Sequence, residues 1–147
     1  MDNKITSKMK INKPAGEVFE AFVDPDKIGN FWFSSSSERW HQGSTVTLRY
    51  DEYDAEGAID ILVIQQNEKI VYVWGPEKGE KTTVTIELNS QPDKSTIVEV
   101  TESDFNEDDP NIVAIMLGQK EGWVYMLTCL KGYLEHGVSD LRGSLVH

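Results

Sequence analysis

The spacing of apolar and polar positions changes its period along this chain. In "STVTLRY" (44–50), Val46, Leu48 and Tyr50 alternate with Thr45, Thr47 and Arg49. A period of two marks a strand with one wet face and one buried face. "KITSKMKI" (4–11) alternates in the same way. So does "TTVTIEL" (82–88), where Val84, Ile86 and Leu88 share a side. "EGAIDILVIQQ" (56–66), "KIVYVWG" (69–75) and "STIVEVTE" (95–102) complete a run of strands. The links between them, "QNEK", "GPEKGEK" and "NSQPDKS", are short and polar, which predicts an antiparallel meander. In "KIVYVWG" Tyr72 and Trp74 share one face and Val71 and Val73 the other. The pattern leaves open which face is inside.

Two segments read with helical spacing instead. In "NKPAGEVFEAFV", Pro14 suits a first helical turn, and Val18, Phe19 and Phe22 fall on one side. Asp24 and Pro25 repeat the device, so a second short helix is expected after Asp24. Near the C-terminus, Trp123, Met126, Leu127, Leu130, Tyr133 and Leu134 form one apolar stripe. Val124, Tyr125, Thr128 and Cys129 widen it, and Gly137 is a natural stop. This helix starts near Asp109 and Pro110, with a break or bend expected at Gly118. Between Trp123 and His136 its only acidic or basic side chains besides the histidine are Lys131 and Glu135. A helix with so little charge is gripped on several sides, as on the hollow of a curved sheet. The fold class is therefore α+β, in one domain over 1–147.

Charge narrows the partners. The chain has 14 basic and 25 acidic residues, a net charge of −11. Phosphate backbones and anionic lipid surfaces attract basic proteins, so neither nucleic acid nor membrane insertion is expected. The longest apolar run, "IVAIML" (112–117), is far shorter than the ~20 residues a span needs. The single cysteine, Cys129, cannot form an internal disulfide, and no leader pattern is evident at the N-terminus. A cytoplasmic location is expected.

Motif chemistry is thin. No phosphate-cradling loop, nucleophile elbow or zinc-protease motif occurs. His41, His136 and His147 are scattered, and no set of about four ligands at zinc spacing is present. The acidic stretch "DFNEDDPN" has Asp109 where a calcium loop needs glycine and Ile115 where it needs glutamate, so it reads as solvated. No metal or cofactor is expected. Ser34 to Ser37 lack a third triad member beside His41 and read as a loop at a cavity edge.

Aromatic residues say more. Trp32, Phe33, Trp40, Tyr50, Tyr53, Tyr72 and Trp74 crowd one part of the chain. Indoles and phenols want a polar partner when buried, and a core built for packing alone favours Leu, Ile and Val. Ring-lined pocket and plain core are both open for each ring singly.

Three segments carry a family resemblance: "PAGEVFEAFVDPDKIGNFW" (14–32), "EGAIDILVIQQNEKIVYVW" (56–74) and "GWVYMLTCLKGYLEHGVSDLR" (122–142). The chain resembles the START-like, helix-grip (SRPBCC) superfamily, in the group related to the C-terminal domain of activators of the ninety-kilodalton heat-shock chaperone's ATPase. The last segment is the most specific, since bacterial members often end similarly. The resemblance implies a curved seven-stranded sheet around the C-terminal helix, with a cavity between them.

The expected function is non-enzymatic binding of a small hydrophobic ligand, lipidic or aromatic and polyketide-like. Expected lining residues are Trp32, Phe33, Trp40, Tyr72, Trp74, Trp123, Met126 and Leu130, with a mouth near 31–40. One alternative is a chaperone-interacting module whose acidic loop (102–111) meets a basic partner. Another is a cyclase or hydrolase, which requires a titratable group such as Asp60, Glu99 or His41 facing the cavity.

Overall fold

The computed structural model describes residues 3–75 and 80–146. The predicted strands form a single seven-stranded antiparallel sheet. In chain order its strands are β1 (Ile5–Ile11), β2 (Ser35–Ser36), β3 (Thr45–Tyr50), β4 (Ala55–Gln65), β5 (Lys69–Trp74), β6 (Thr82–Ser90) and β7 (Thr96–Ser103). Strands β2 to β7 follow one another as a meander, and β1 closes on β7. Helix α1 (Ala15–Val23) follows β1, and the long helix α2 (Ile112–His136) follows β7.

Side-chain parity places the core. Val84, Ile86 and Leu88 of β6 and Val98 and Val100 of β7 are buried. In β5 the Tyr72 face is the inner one, with Tyr72 itself fully buried. Strand β4 explains its unbroken apolar run by a bulge. The register shifts between Ile61 and Val63, so Ile59 and Ile61 point inward, Leu62 is exposed, and Ile64 returns to the core. Bulges bend a strand and increase its twist, which helps the sheet curl.

Four expectations change in the details. Helix α2 runs unbroken through Gly118, whose missing side chain faces open space. The second short helix is only a 3-10 turn, Ile28–Asn30. The serine run is partly strand, since Ser35 and Ser36 pair with Arg49 and Leu48 at the sheet edge. Helix α2 begins at Ile112, after two turns of loop held by Asn106 and Asp109.

The stripe on α2 packs as its spacing predicts. Trp123, Met126, Leu127, Cys129 and Leu130 are buried, and Tyr133 and Leu134 pack at the core margin. Polar bonds fasten the helix along β1. Lys120 Nζ donates to the Thr6 carbonyl, Lys131 Nζ to the Lys10 carbonyl at 2.8 Å, and Glu135 accepts from the Asn12 amide at 3.0 Å. Gly137 ends the helix with φ of 67°, and its N–H reaches the Tyr133 carbonyl. Only the C-terminal half is seated this way: after Ile112, residues up to Trp123 are exposed or half-buried. No helix among the described residues is long and apolar enough to cross a membrane.

Leu130 is fully buried at the centre of this packing. Leu130→Ala should cost about 2–5 kcal/mol, the usual range for a large-to-small core change. Denaturant melts check it, and a loss below ~0.5 kcal/mol would mean that the helix is seated differently.

Candidate functional site

The inward rows of the sheet run out of bulk at one end. On β4 the row reads Ile61, Ile59, Gly57; on β6 it reads Val84, Thr82; on β7 it reads Val100, Glu102. Beyond these positions the half-seated start of α2 overhangs the sheet. The result is an open cavity of about 600 Å³. Leu48, Ile59, Trp74 and Phe33 form one wall, and Phe105, Ile112, Ile115 and Gln119 form the other. Gly57 is central to it. It pairs with Leu48 on the neighbouring strand, and no atom lies within 4 Å of where its Cβ would sit. A side chain there would enter the empty space.

A buried carboxylate closes the inner end. Glu102 is 1 % exposed and collects donors from β5, β6 and α2. Trp123 Nε1 donates at 2.8 Å and Gln119 Nε2 at 3.0 Å to Oε1. Thr82 Oγ1 at 2.6 Å and Trp74 Nε1 at 3.2 Å reach Oε2. All four partners are neutral. The adjoining Tyr72 hydroxyl has no hydrogen-bond partner among the described atoms. Burial and the nearby Glu102 push its pKa well above the usual phenol value, so it stays neutral.

A second, smaller cavity of about 210 Å³ lies behind the first. Phe33, Trp74 and Gln119 border both. The C-terminal segment after α2 covers part of it, and Arg142 fixes that segment. Its guanidinium binds both oxygens of Glu52, at 2.6 and 2.9 Å. It also donates to the Trp32 carbonyl at 2.6 Å and to Ser34 Oγ at 2.9 Å, and lies 4.9 Å from the Tyr50 ring centre. Tyr50 and Tyr53 return hydroxyl bonds to the carbonyls of Arg142 and Leu145.

The residues expected to line a site separate into three groups. Phe33 and Trp74 border both cavities. Trp32, Trp123 and Met126 border the smaller one. Trp40, Tyr72 and Leu130 border neither and are core. The mouth differs from expectation too: of residues 31–40, only Phe33 reaches the larger cavity, which opens between α2, the loop before it and the ends of β4 and β6. The reason is that Trp32 is surrounded by rings. Its centroid lies 4.9 Å from Phe33, 5.6 Å from Trp123 and 6.2 Å from Trp40, and this stack seals the interior on that side. Asp60, Glu99 and His41 line neither cavity. Asp60 accepts from Thr45 at 2.8 Å, Glu99 faces Lys8 at 3.7 Å, and His41 is exposed.

Glu102, Gln119, Gly57 and Arg142 were not singled out from the sequence. For Glu102 a signal was present, because it continues the inward parity of Val98 and Val100. Among the described residues no three His, Cys, Asp or Glu side chains gather as metal ligands.

Residues 12–135 match the family described as activator of Hsp90 ATPase homolog 1-like protein. The chain belongs to that family. Among solved structures it is 52% identical to the protein SSP2350 from Staphylococcus saprophyticus, with a TM-score of 0.80, covering 92% of this chain and 94% of that one. It also resembles the Aha1 dimer protein from Colwellia psychrerythraea at 20% identity, with a TM-score of 0.79 over 91% and 97% of the two chains. DynU16, a protein of the dynemicin biosynthetic locus, gives 19% identity and a TM-score of 0.81 over 95% of this chain and 49% of its own. At such identities the last two show the fold alone. No curated protein sequence matches the chain. The family and the helix-grip architecture are thus those that the three segments resembled.

Two outcomes follow from this geometry. Glu102→Ala strands two indole N–H groups, an amide and a hydroxyl, and should cost about 1–3 kcal/mol or more in a denaturant melt; a neutral effect would mean that Glu102 does not organise the site. The second concerns pH. The Arg142 guanidinium holds Glu52 down to a pKa of about 2, from an ordinary value of 4.5. A lowered carboxyl stabilises the folded state above its unfolded pKa and ceases to do so as pH falls through the folded value. The protection of amides in residues 138–146, taken as exchange relative to the intrinsic rate at each pH, should therefore hold above about pH 4.5 and fall toward pH 2. In Glu52→Gln it should be low at all pH values.

Proposed function

We propose that this protein binds a small apolar molecule, lipidic or aromatic, in the larger cavity and holds it without chemical conversion. The observation that carries this reading is the 600 Å³ cavity itself, which exists because an inward position is glycine where its row otherwise carries isoleucine. Apolar walls with a few converging polar groups are the usual make-up of a small-molecule site. Here Glu102, Thr82 and Gln119 stand at the inner end, Glu56, Glu80, Asn106 and Asp109 also border the space, and the aromatic wall is Phe33, Trp74 and Phe105.

A thermal-shift screen of fatty acids, sterols, flavonoids and polyketide-like aromatics tests it. A ligand that binds only the folded state, at roughly 100 times its Kd, adds about 2.7 kcal/mol. That corresponds to a rise in Tm on the order of 5–15 °C for a domain of this size. Gly57→Phe should fold, since no atom opposes its Cβ, and should abolish the shift. If no compound raises the Tm of the wild-type protein, the carrier reading fails.

A second reading rests on the family's own description. An activator-like domain can act by docking on a chaperone, here through the acidic loop 102–111 or the exposed Val113, Leu117 and Val124 on α2. An ATPase assay with a bacterial chaperone of the ninety-kilodalton class decides it: a rate increase that Leu117→Asp removes supports docking, and an unchanged rate at high protein excess excludes it.

A further inference from the structure

We infer that the ligand of this cavity is a cation: an apolar body carrying an amine or amidinium group. The inference rests on the carrier reading above and specifies its chemistry. Charge around the cavity is one-sided. Its described lining contains Glu56, Glu80, Glu102 and Asp109 and no lysine, arginine or histidine.

The partners of these carboxylates sharpen the asymmetry. Among the described residues only Glu56 has a basic partner, Arg49 at 2.8 Å. Glu80 accepts from the Asn106 amide at 3.2 Å. Asp109 accepts from the backbone N–H of Asn111 at 2.8 Å. Glu102, at the inner end, accepts only from indoles, an amide and a hydroxyl. Among the described residues, no cation compensates these three. Neighbouring lysines are directed elsewhere: Lys120, next to Gln119, donates to the Thr6 carbonyl, and Lys81 is exposed and outside the lining. The stretch 76–79, Pro-Glu-Lys-Gly, carries no net charge.

Buried charges are normally paired, because burial removes the water that would stabilise them. Four neutral donors satisfy the oxygens of Glu102, and none of them brings a positive charge. Low-dielectric walls focus the field of such a group into the cavity. A fatty acid would bring a second anion into that field, and a neutral sterol would leave it uncompensated. An ammonium entering at the rim, between Glu80 and Asp109, would compensate it while its apolar body lies against Trp74, Phe105 and Ile115. Aromatic faces favour the same sign of charge.

The test is a matched series in which only the head group changes: naphthylethylamine, naphthylethanol and naphthylacetate, measured by titration calorimetry. The amine should bind at least about ten-fold more tightly than the alcohol, and the acetate most weakly. Salt should shrink the amine-to-alcohol ratio by screening. The double variant Glu80→Gln, Asp109→Asn keeps at each position the oxygen that accepts a hydrogen bond and should reduce the ratio, leaving the part due to Glu102 and Glu56. Gly57→Phe should abolish binding of all three. Equal binding of amine and alcohol, blocked by Gly57→Phe, overturns the cationic ligand and leaves an apolar carrier. An amine preference that survives in Gly57→Phe reflects the net charge of the whole surface and overturns it as well. If none of the three binds while the screen yields neutral or acidic ligands, the inference fails and the carrier reading stands. If the screen is also empty, both fail. Should Gly57→Phe not fold, nuclear Overhauser contacts between the naphthyl ring and the Trp74 indole in the wild-type protein decide the matter; a salt-sensitive amine preference without them overturns the inference.

Discussion

One carboxylate ties the cavity end of this molecule together. Glu102 leaves β7 on the inner face and gathers an indole from β5, a hydroxyl from β6, and an amide and a second indole from α2. Below it the sheet and helix are joined by close apolar packing, from Trp123 to Leu130. Above it they part. A buried carboxylate cannot be surrounded by hydrocarbon without losing several kcal/mol, so polar side chains have to converge there. The last turns of the apolar seam give way to Thr82, Gln119 and Gly57, and the cavity begins where the seam ends. Fold and site thus share one cause.

The aromatic residues divide along the same line. Trp74 borders both cavities and Trp123 the smaller one, and their ring centroids lie 5.4 Å apart. Both spend their N–H on Glu102. Trp40 stacks behind them against Trp32 and Tyr72 and borders neither cavity, while Trp32 borders the smaller one. Rings that sequence reasoning groups as one pocket are in fact a partition: one side is core, and the other is wall.

Period and turn chemistry made the architecture legible. Alternation gave the strands to within a residue or two at most ends, and the stripe from Trp123 to Leu134 gave the face of α2. The second short helix was overestimated, because a Pro at the first turn starts a helix but does not extend it; Gly29 would place a Cβ 2.8 Å from the Ser34 carbonyl, and the chain turns there instead. A break or bend is expected at Gly118, whereas its cost in an exposed turn is only about 1 kcal/mol. The site was less legible. Which strand ends lie beside the start of α2 depends on sheet curvature and on where the helix is fastened, and neither has a local signature. Parity alone pointed Glu102 inward. The Arg142 contacts join residues 90 positions apart in sequence to Glu52, a distance over which no spacing rule operates.

The central claim is that the space bounded by Gly57, Trp74, Glu102 and Gln119 receives the ligand. The most direct measurement is a nitrogen-proton correlation spectrum of the labelled protein, titrated with the tightest compound from the screen. The account predicts that the indole N–H signals of Trp74 and Trp123 and the amide of Gly57 shift together with a single affinity, while the indole of Trp40 stays in place. Shifts confined to the exposed residues of α2, with the Trp74 and Trp123 indoles unmoved, would contradict it.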